Sequence, residues 1–101
     1  MIRVRHYTRV SSMRKILAEG VIRARDRNMV FVERANARKL SPSDAQAKYG
    51  LRPGKANAFI EFDVETELLL CEFNDLSQAY EYSIVGNVDL ADRNPEAFFN
   101  F

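Results

Sequence analysis

Apolar and polar residues alternate from position 2 to position 7 (IRVRHY), and this period of two predicts a β-strand. Its two faces carry Ile2, Val4 and His6 on one side and Arg3, Arg5 and Tyr7 on the other. Beyond the strand, apolar residues at three-to-four spacing predict an amphipathic helix, with Ser11 or Ser12 as its cap and Gly20 just past its end. The chain is therefore expected to open with a strand and a helix.

The rest of the chain predicts one further helix and a series of strands. Ser41, Pro42 and Gly50 stand where a cap, a first helical residue and a terminator would, which predicts a short helix between them. Strand-like runs cover residues 21–22, 29–33, 57–64, 68–73, 80–85 and 88–90. The three phenylalanines of the C-terminal NPEAFFNF are expected to dock on the core. Helices early and strands late predict a single α+β domain over residues 1–101.

Length and composition limit what this domain can be. With 101 residues, 47% hydrophobic and 29% charged, the chain can form one modest core. Its longest apolar run covers only residues 68–71, so no membrane span is expected. A single cysteine, Cys71, excludes an internal disulfide framework, and its place in an apolar run predicts a thiol that packs as a small hydrophobe.

The net charge of +1 conceals a strong asymmetry along the chain. Residues 1–55 contain 14 Lys or Arg and 4 Asp or Glu, whereas residues 56–101 contain 1 Arg and 10 Asp or Glu. This division predicts either an electropositive wall that attracts phosphates or a simple pairing of the basic and acidic halves across the folded domain. The sequence leaves both alternatives open.

His6 is the only histidine, so any chemistry that it performs involves carboxylates or hydroxyls rather than a second imidazole. One His and one Cys leave a zinc site to be completed by carboxylates alone, which argues against a metal centre. A catalytic pair of histidines is impossible. On local pattern His6 is either an ordinary strand residue or a functional group, and the pattern alone favours the former.

Glu81 is the second candidate, because in YEYSIVG its side chain alternates with those of two tyrosines. It is either an edge-strand carboxylate facing water or a group poised to stabilise a cation or a sugar hydroxyl. The other strand carboxylates are Glu33, Glu61 and Asp63. The glycines match no phosphate-binding loop, so arginines would have to hold any phosphate. The available arginines are Arg3, Arg5, Arg9, Arg23, Arg25 and Arg27.

The segment VRHYT followed by SSMRKILAEGVIRA resembles the start of ADP-ribosyltransferase-like toxin domains with an H-Y-D signature, which occur at the C-termini of bacterial polymorphic toxins. The likeness continues through MVFVERANARKLSP, GLRPGKANAFIEFDV and YEYSIVGNVDL, which together with the first segment cover nearly the whole chain. This resemblance implies a small, split and strongly bent β-sandwich of the ADP-ribosyltransferase type. It also implies that NAD is bound, as substrate, in an extended cleft.

The resemblance assigns roles to individual residues. His6 is expected to bind the adenosine ribose and to belong with Glu81 to the catalytic pair, with Glu81 steadying the nicotinamide ribose as its glycosidic bond breaks. The backbone at Tyr7 and Thr8 is expected to lie against the nicotinamide amide, and Phe31 to stack on its ring. Together with Arg5, one of the arginines available to hold phosphate, the expected cofactor-binding set is His6, Tyr7, Thr8, Arg5 and Phe31, and no metal is expected.

Two positions depart from the family pattern. Phe31 stands where the related His-Tyr-Glu transferases have a tyrosine, so stacking survives and a phenol hydrogen bond is lost. The signature name carries an aspartate, so Asp63 or Asp89 competes with Glu81 for the acidic role.

The function implied is an NAD-dependent mono-ADP-ribosyltransferase toxin that modifies a protein or RNA in a competing cell. Such a domain is expected to be secreted or delivered into the target cytoplasm, to act as a monomer and to have a cognate immunity protein. Two alternatives stay open: a metal-independent ribonuclease using His6 and Glu81 as acid and base, and a non-enzymatic binding module.

Overall fold

The computed structural model describes residues 1–75 and 78–100. Its strands are β1 (Ile2–Thr8), β2 (Val21–Ile22), β3 (Met29–Arg34), β4 (Ala58–Val64), β5 (Leu70–Asn74), β6 (Ala79–Val85), β7 (Val88–Asp89) and β8 (Glu96–Phe99). Its α-helices are α1 (Val10–Glu19) and α2 (Pro42–Tyr49), and single 3₁₀ turns cover Asp26–Asn28 and Thr66–Leu68. The predicted α+β class is confirmed. No helix in this part of the chain is long and apolar enough to cross a membrane.

Two antiparallel sheets carry the fold, a six-stranded one in the order β5-β6-β3-β1-β4-β8 and a small one that pairs β2 with β7. The central strand, β1, pairs with β4 along its whole length, from Ile2 opposite Val64 to Thr8 opposite Ala58. Its ladder with β3 is far shorter and contains only Val4 opposite Arg34 and Arg5 opposite Glu33. The main sheet therefore splits between β1 and β3, and the split begins at His6.

Apolar side chains cover both faces of the main sheet. On one face the alternate residues of β4 pack with Val4 and with α1, and this larger core contains Met13, Ile16, Ala58, Ile60, Phe62 and Val64 among others. On the other face a smaller core joins β1 and β4 to α2 through Tyr7, Ala45, Ala56 and Phe59. The alternation predicted for the first strand is thus confirmed, with Val4 and Tyr7 on opposite faces.

A cluster of ion pairs crosses the second face of the sheet. Arg5 is only 5% exposed, and its guanidinium donates to the carboxylates of Glu33 on β3 and Glu61 on β4. Burial by itself lowers the pKa of Arg5, but the hydrogen bonds to these two carboxylates outweigh it and the pKa is raised. Arg3 pairs with Asp63 at 3.0 Å beside them. On this face the basic and acidic halves of the chain do pair, as one of the two alternatives predicted.

The two helix starts were predicted with different success. For α2, the Ser41 hydroxyl accepts a hydrogen bond from the Asp44 amide at 3.2 Å, and Gly50 ends the helix in the left-handed region at φ 64°, as predicted. For α1, the cap was predicted wrongly. The helix begins at Val10 after an Arg9 that makes no side-chain capping bond, because β1 runs directly into it.

Two expectations for apolar residues are also corrected. The C-terminal phenylalanines were expected to dock on the core, but Phe98 is 38% exposed and Phe99 is 50% exposed. The Phe98 ring does stack on Phe59, with 5.1 Å between the ring centroids. The third phenylalanine, Phe101, lies outside the described residues. The tail docks instead through β8 and through the buried amide of Asn100, whose nitrogen donates to the carbonyls of Leu40 and Ala56.

Cys71 is exposed rather than packed as a small hydrophobe. It lies on β5, an edge strand that pairs with β6 alone and whose first four residues are all exposed.

We predict that Arg5→Ala lowers the free energy of unfolding by about 3 kcal/mol, because it leaves two partly buried carboxylates without their cation. Urea denaturation followed by circular dichroism measures this loss. Arg34→Ala is the matched control, since Arg34 is exposed on β3 and its loss is expected to cost less than about 0.5 kcal/mol. Equal losses in the two variants would contradict a stabilising role for the cluster.

Candidate active site

The split between β1 and β3 opens a cavity of about 850 Å³. Its walls come from β1, α1, β2, β3, the end of α2 with the loop after it, and the facing ends of β5 and β6. Five of the residues predicted from the sequence line it together, namely His6, Tyr7, Thr8, Phe31 and Glu81. They come from three strands, and Glu81 is 75 positions from His6 in the chain.

The His6 imidazole stands where the ladder between β1 and β3 stops. Its Nδ1 atom lies 2.9 Å from the carbonyl oxygen of Phe31, and because a carbonyl only accepts, Nδ1 carries the hydrogen. In the neutral ring Nε2 is then a hydrogen-bond acceptor. Burial lowers the pKa of His6 and the nearby charge of Arg25 lowers it further, against the opposing effect of the Phe31 carbonyl. The site therefore favours an uncharged imidazole with one free acceptor atom.

Glu81 lies on β6 and is half-buried. Asn74, at the end of the neighbouring strand β5, donates a hydrogen bond from its side-chain nitrogen to Glu81 Oε1 at 2.8 Å. Ser83 is paired with Phe31, and Glu81 is two residues before Ser83, so the side chains of Glu81 and Phe31 project from the same face of the sheet. Asn74 thus fixes the carboxylate on the side of the cavity that carries the Phe31 ring.

Tyr49 and Asn74 line the cavity too, and neither was predicted as a site residue. The Tyr49 ring centroid is 6.1 Å from that of Tyr7, and its hydroxyl is 3.5 Å from Glu33 Oε1. Burial raises the pKa of Tyr49, and the nearby charges of Glu33 and Glu81 raise it as well. In the sequence Tyr49 is only the last residue of a helix, and Asn74 lies just beyond a predicted strand, so no local signal marked them.

Tyr7 contributes differently from its neighbours because its side chain turns away from His6, towards the smaller core. Its hydroxyl donates to Glu33 Oε2 at 2.8 Å and accepts from the backbone amide of Leu40 at 2.8 Å. Burial raises the pKa of Tyr7 to about 12. These bonds anchor the strand that carries His6.

Arg5, expected among the cofactor-binding residues, does not line the cavity. Its guanidinium is committed to Glu33 and Glu61 and to two backbone carbonyls on the second face of the sheet. The structure therefore assigns Arg5 to holding β1, β3 and β4 together. Alternation along β1 had indicated which residues share a face with Arg5 but not which face would open.

The two rival acidic residues are also placed elsewhere. Asp63 bonds to Arg3 and Asn94, and these hydrogen bonds hold its pKa below the usual range. Asp89 lies on β7, where its carboxylate accepts from the backbone amide of Ala91. Neither residue lines the cavity that contains His6, whereas Glu81 does.

The cavity is strongly cationic. Seven of its lining side chains are Lys or Arg and two are Glu. The cations are Arg9, Lys15, Arg23, Arg25, Arg27, Lys48 and Lys55. The second alternative for the charge asymmetry, an electropositive wall, is thus present as well, on a different part of the molecule from the ion-pair cluster.

The turn before β3 places two of these cations. Arg27 and the following Asn28 both adopt left-handed backbone, at φ 53° and 57°, which non-glycine residues adopt only at some cost. This conformation brings the Arg27 guanidinium over the Phe31 ring, 5.3 Å from its centroid. Among the described residues no three His, Cys, Asp or Glu side chains are grouped as metal ligands would be.

A family model described as HYD1 signature containing ADP-ribosyltransferase matches residues 4–94, which include every residue that lines the cavity. The chain belongs to this family. The resemblance noted at VRHYT is confirmed, and the domain is placed among ADP-ribosyltransferase toxin domains. No match was found among curated proteins or among solved structures.

We predict that the unfolding free energy of this transferase domain falls as pH drops below about 6.5, because the unfolded chain then takes up a proton that the half-buried His6 resists. The loss of unfolding free energy stops once the pH has fallen below the lowered pKa that His6 has in the folded state. Urea denaturation at several pH values, compared with His6→Gln, measures the difference, and the variant should lack this component. An imidazole NMR titration midpoint at or above 6.5 in the folded domain would contradict the assignment.

Proposed function

We propose that the domain binds NAD in this cavity and transfers its ADP-ribose to a macromolecular acceptor. The observation that carries the proposal is that His6, Phe31 and Glu81, which come from distant parts of the chain, meet on one cavity. Its volume of about 850 Å³ lies within the range of about 300–1,000 Å³ usual for small-molecule and cofactor sites. Family membership supports the reaction class.

The cavity has two ends with different chemistry. Near His6 lies the positive charge of Arg25, and near Glu81 lies the phenol of Tyr49. We assign the adenosine ribose to the His6 end, where Nε2 accepts a hydrogen bond from a sugar hydroxyl. The charge of Arg25 acts on His6, and the Arg27 guanidinium lies over the Phe31 ring. We assign to these two cations the charge-assisted hydrogen bonds to the diphosphate.

The reaction proposed at the Glu81 end is cleavage of the bond between the ribose and nicotinamide. Positive charge develops on the sugar as this bond breaks, and a carboxylate beside it stabilises that charge. The hydrogen bond from Asn74 holds Glu81 in place for this task. Phe31 orients the nicotinamide ring by stacking and needs no ionisable group.

We further propose that the domain acts as a delivered or secreted toxin in the cytoplasm of a competing cell, and that a cognate immunity protein protects the producer. These steps rest on membership of a toxin-domain family.

We predict that Glu81→Gln lowers the rate of nicotinamide release about 10²- to 10³-fold and changes the Kd for NAD little, because it removes charge stabilisation and keeps the shape of the side chain. Chromatographic assay of nicotinamide and calorimetric titration with NAD measure the two effects. Glu72→Gln is the matched control, since Glu72 lies directly opposite Glu81 on β5 but is exposed and outside the cavity. Equal activity of both variants would rule out Glu81 as the catalytic carboxylate.

We predict that His6→Ala raises the Kd for NAD about tenfold, the equivalent of one lost hydrogen bond of about 1.4 kcal/mol. Calorimetric titration of the folded variant measures the change.

The proposed function itself would be overturned if the wild-type domain left NAD intact in the presence of a cell lysate. RNA shortened under those conditions would identify the ribonuclease alternative.

A further inference from the structure

The cavity carries more positive charge than one dinucleotide requires. Arg23 is paired with Glu19 at 3.2 Å, but within the described ranges 1–75 and 78–100 no carboxylate forms an ion pair with the remaining lysines or with two of the arginines. These unpaired cations are Arg9, Lys15, Arg25, Lys48 and Lys55. The diphosphate of NAD has two negative charges, for which Arg25 and Arg27 suffice. Four cations are then left without an anion.

The surplus of positive charge in the cavity is not caused by a shortage of carboxylates in the chain. There are 14 Asp and Glu residues, and away from the cavity several of them pair with arginines, as at Arg3, Arg5 and Arg93. Cations held near one another repel, and they attract a partner with several negative charges. Arg3 and Arg5 thus have carboxylate partners on the second face of the sheet, whereas five cations that line the cavity form no ion pair among the described residues.

One of the surplus cations, Lys48, lies near Glu81, and two others lie next to each other in the cavity wall. The Lys48 ammonium is 5.3 Å from the centroid of the Tyr49 ring, and Tyr49 is the aromatic residue beside Glu81. The Arg9 guanidinium lies against Gly54, where a Cβ atom would come within 3.4 Å of it, and Lys55 is the next residue. Lys48 therefore lies close to the carboxylate assigned to the reaction, and Arg9 and Lys55 add positive charge to the same cavity.

We propose that Arg9, Lys15, Lys48 and Lys55 form a cationic rim that binds the phosphodiester backbone of a nucleic-acid strand, and that this strand is the acceptor of ADP-ribose. The inference rests on the proposed function. In the transfer, the bond between the anomeric carbon and the nicotinamide nitrogen breaks, and nicotinamide leaves with the electron pair as a neutral base. A nucleophilic oxygen or nitrogen of the strand forms the new bond to that carbon and releases its proton to water.

Binding is tested with fluorescent single-stranded RNA and DNA of one sequence, titrated with the full chain at several salt concentrations. The double variant Lys48→Gln/Lys55→Gln should bind about tenfold more weakly, with the slope of log K against log salt reduced by about 1.4, since each phosphate contact to a single strand contributes about 0.7. Arg34→Gln/Arg38→Gln is the matched control, because both arginines are exposed and outside the cavity. It should bind as the wild type does. If the two double variants bound nucleic acid equally well and with equal slopes, and their unfolding midpoints were unchanged, the proposal that the cationic rim binds nucleic acid would be wrong.

Transfer is tested with NAD labelled in its adenosine, mixed with the wild-type domain and RNA, single-stranded DNA or lysate protein in separate reactions. Label joined to RNA or to DNA supports the proposal and identifies which strand is used. If nicotinamide were released and the label were joined only to protein, the proposal of a nucleic-acid acceptor would be wrong and the proposed function would stand. No nicotinamide release with any acceptor would instead overturn the proposed function.

Discussion

The structure depends on the point at which β1 parts from β3. At Arg5 the two strands are still paired, and the Arg5 guanidinium ties Glu33 of β3 to Glu61 of β4 on one face of the sheet. One residue later the ladder has ended, and Nδ1 of the His6 imidazole donates to the carbonyl of Phe31. Because β1 remains paired with β4 throughout, only β3 and the strands beyond it can diverge. The ion-pair cluster therefore fixes where the cavity starts.

The two faces of the sheet differ in charge, and this difference explains how one chain has a strongly cationic cavity without a large net charge. On the second face of the sheet, Asp63 and Glu61 of the acidic half form ion pairs with Arg3 and Arg5. The short distances in these charge-assisted hydrogen bonds strengthen the pairs. Five of the cations that line the cavity form no ion pair with a carboxylate among the described residues. Self-repulsion among them destabilises the empty domain somewhat, and any bound phosphate relieves it.

What could be predicted from the sequence was mostly local. The α2 boundaries follow from Ser41, Pro42 and Gly50, since capping and termination depend on neighbouring residues only. Strand alternation predicted the two faces of β1 correctly but not which face opens. Arg5 was expected to bind the cofactor because the chain has no glycine-rich phosphate loop, and alternation could not show that its side chain lies on the face away from the cavity. Tyr49 and Asn74 were missed because each ends an element, and only the folded chain brings them beside Glu81. His6 and Glu81 were singled out by residue type, while their common cavity was implied by the family resemblance alone.

The state of His6 bears on which chemistry this cavity can support. A ribonuclease that uses His6 as its acid needs a proton on Nε2, and burial together with the charge of Arg25 disfavours the imidazolium that would carry it. Cleavage of NAD has no such requirement, because the nicotinamide nitrogen is already cationic and leaves as a neutral base. An uncharged imidazole whose Nε2 only accepts a hydrogen bond is therefore sufficient for ADP-ribosyl transfer and poorly suited to acid catalysis. The one histidine is matched to a reaction whose leaving group needs no proton.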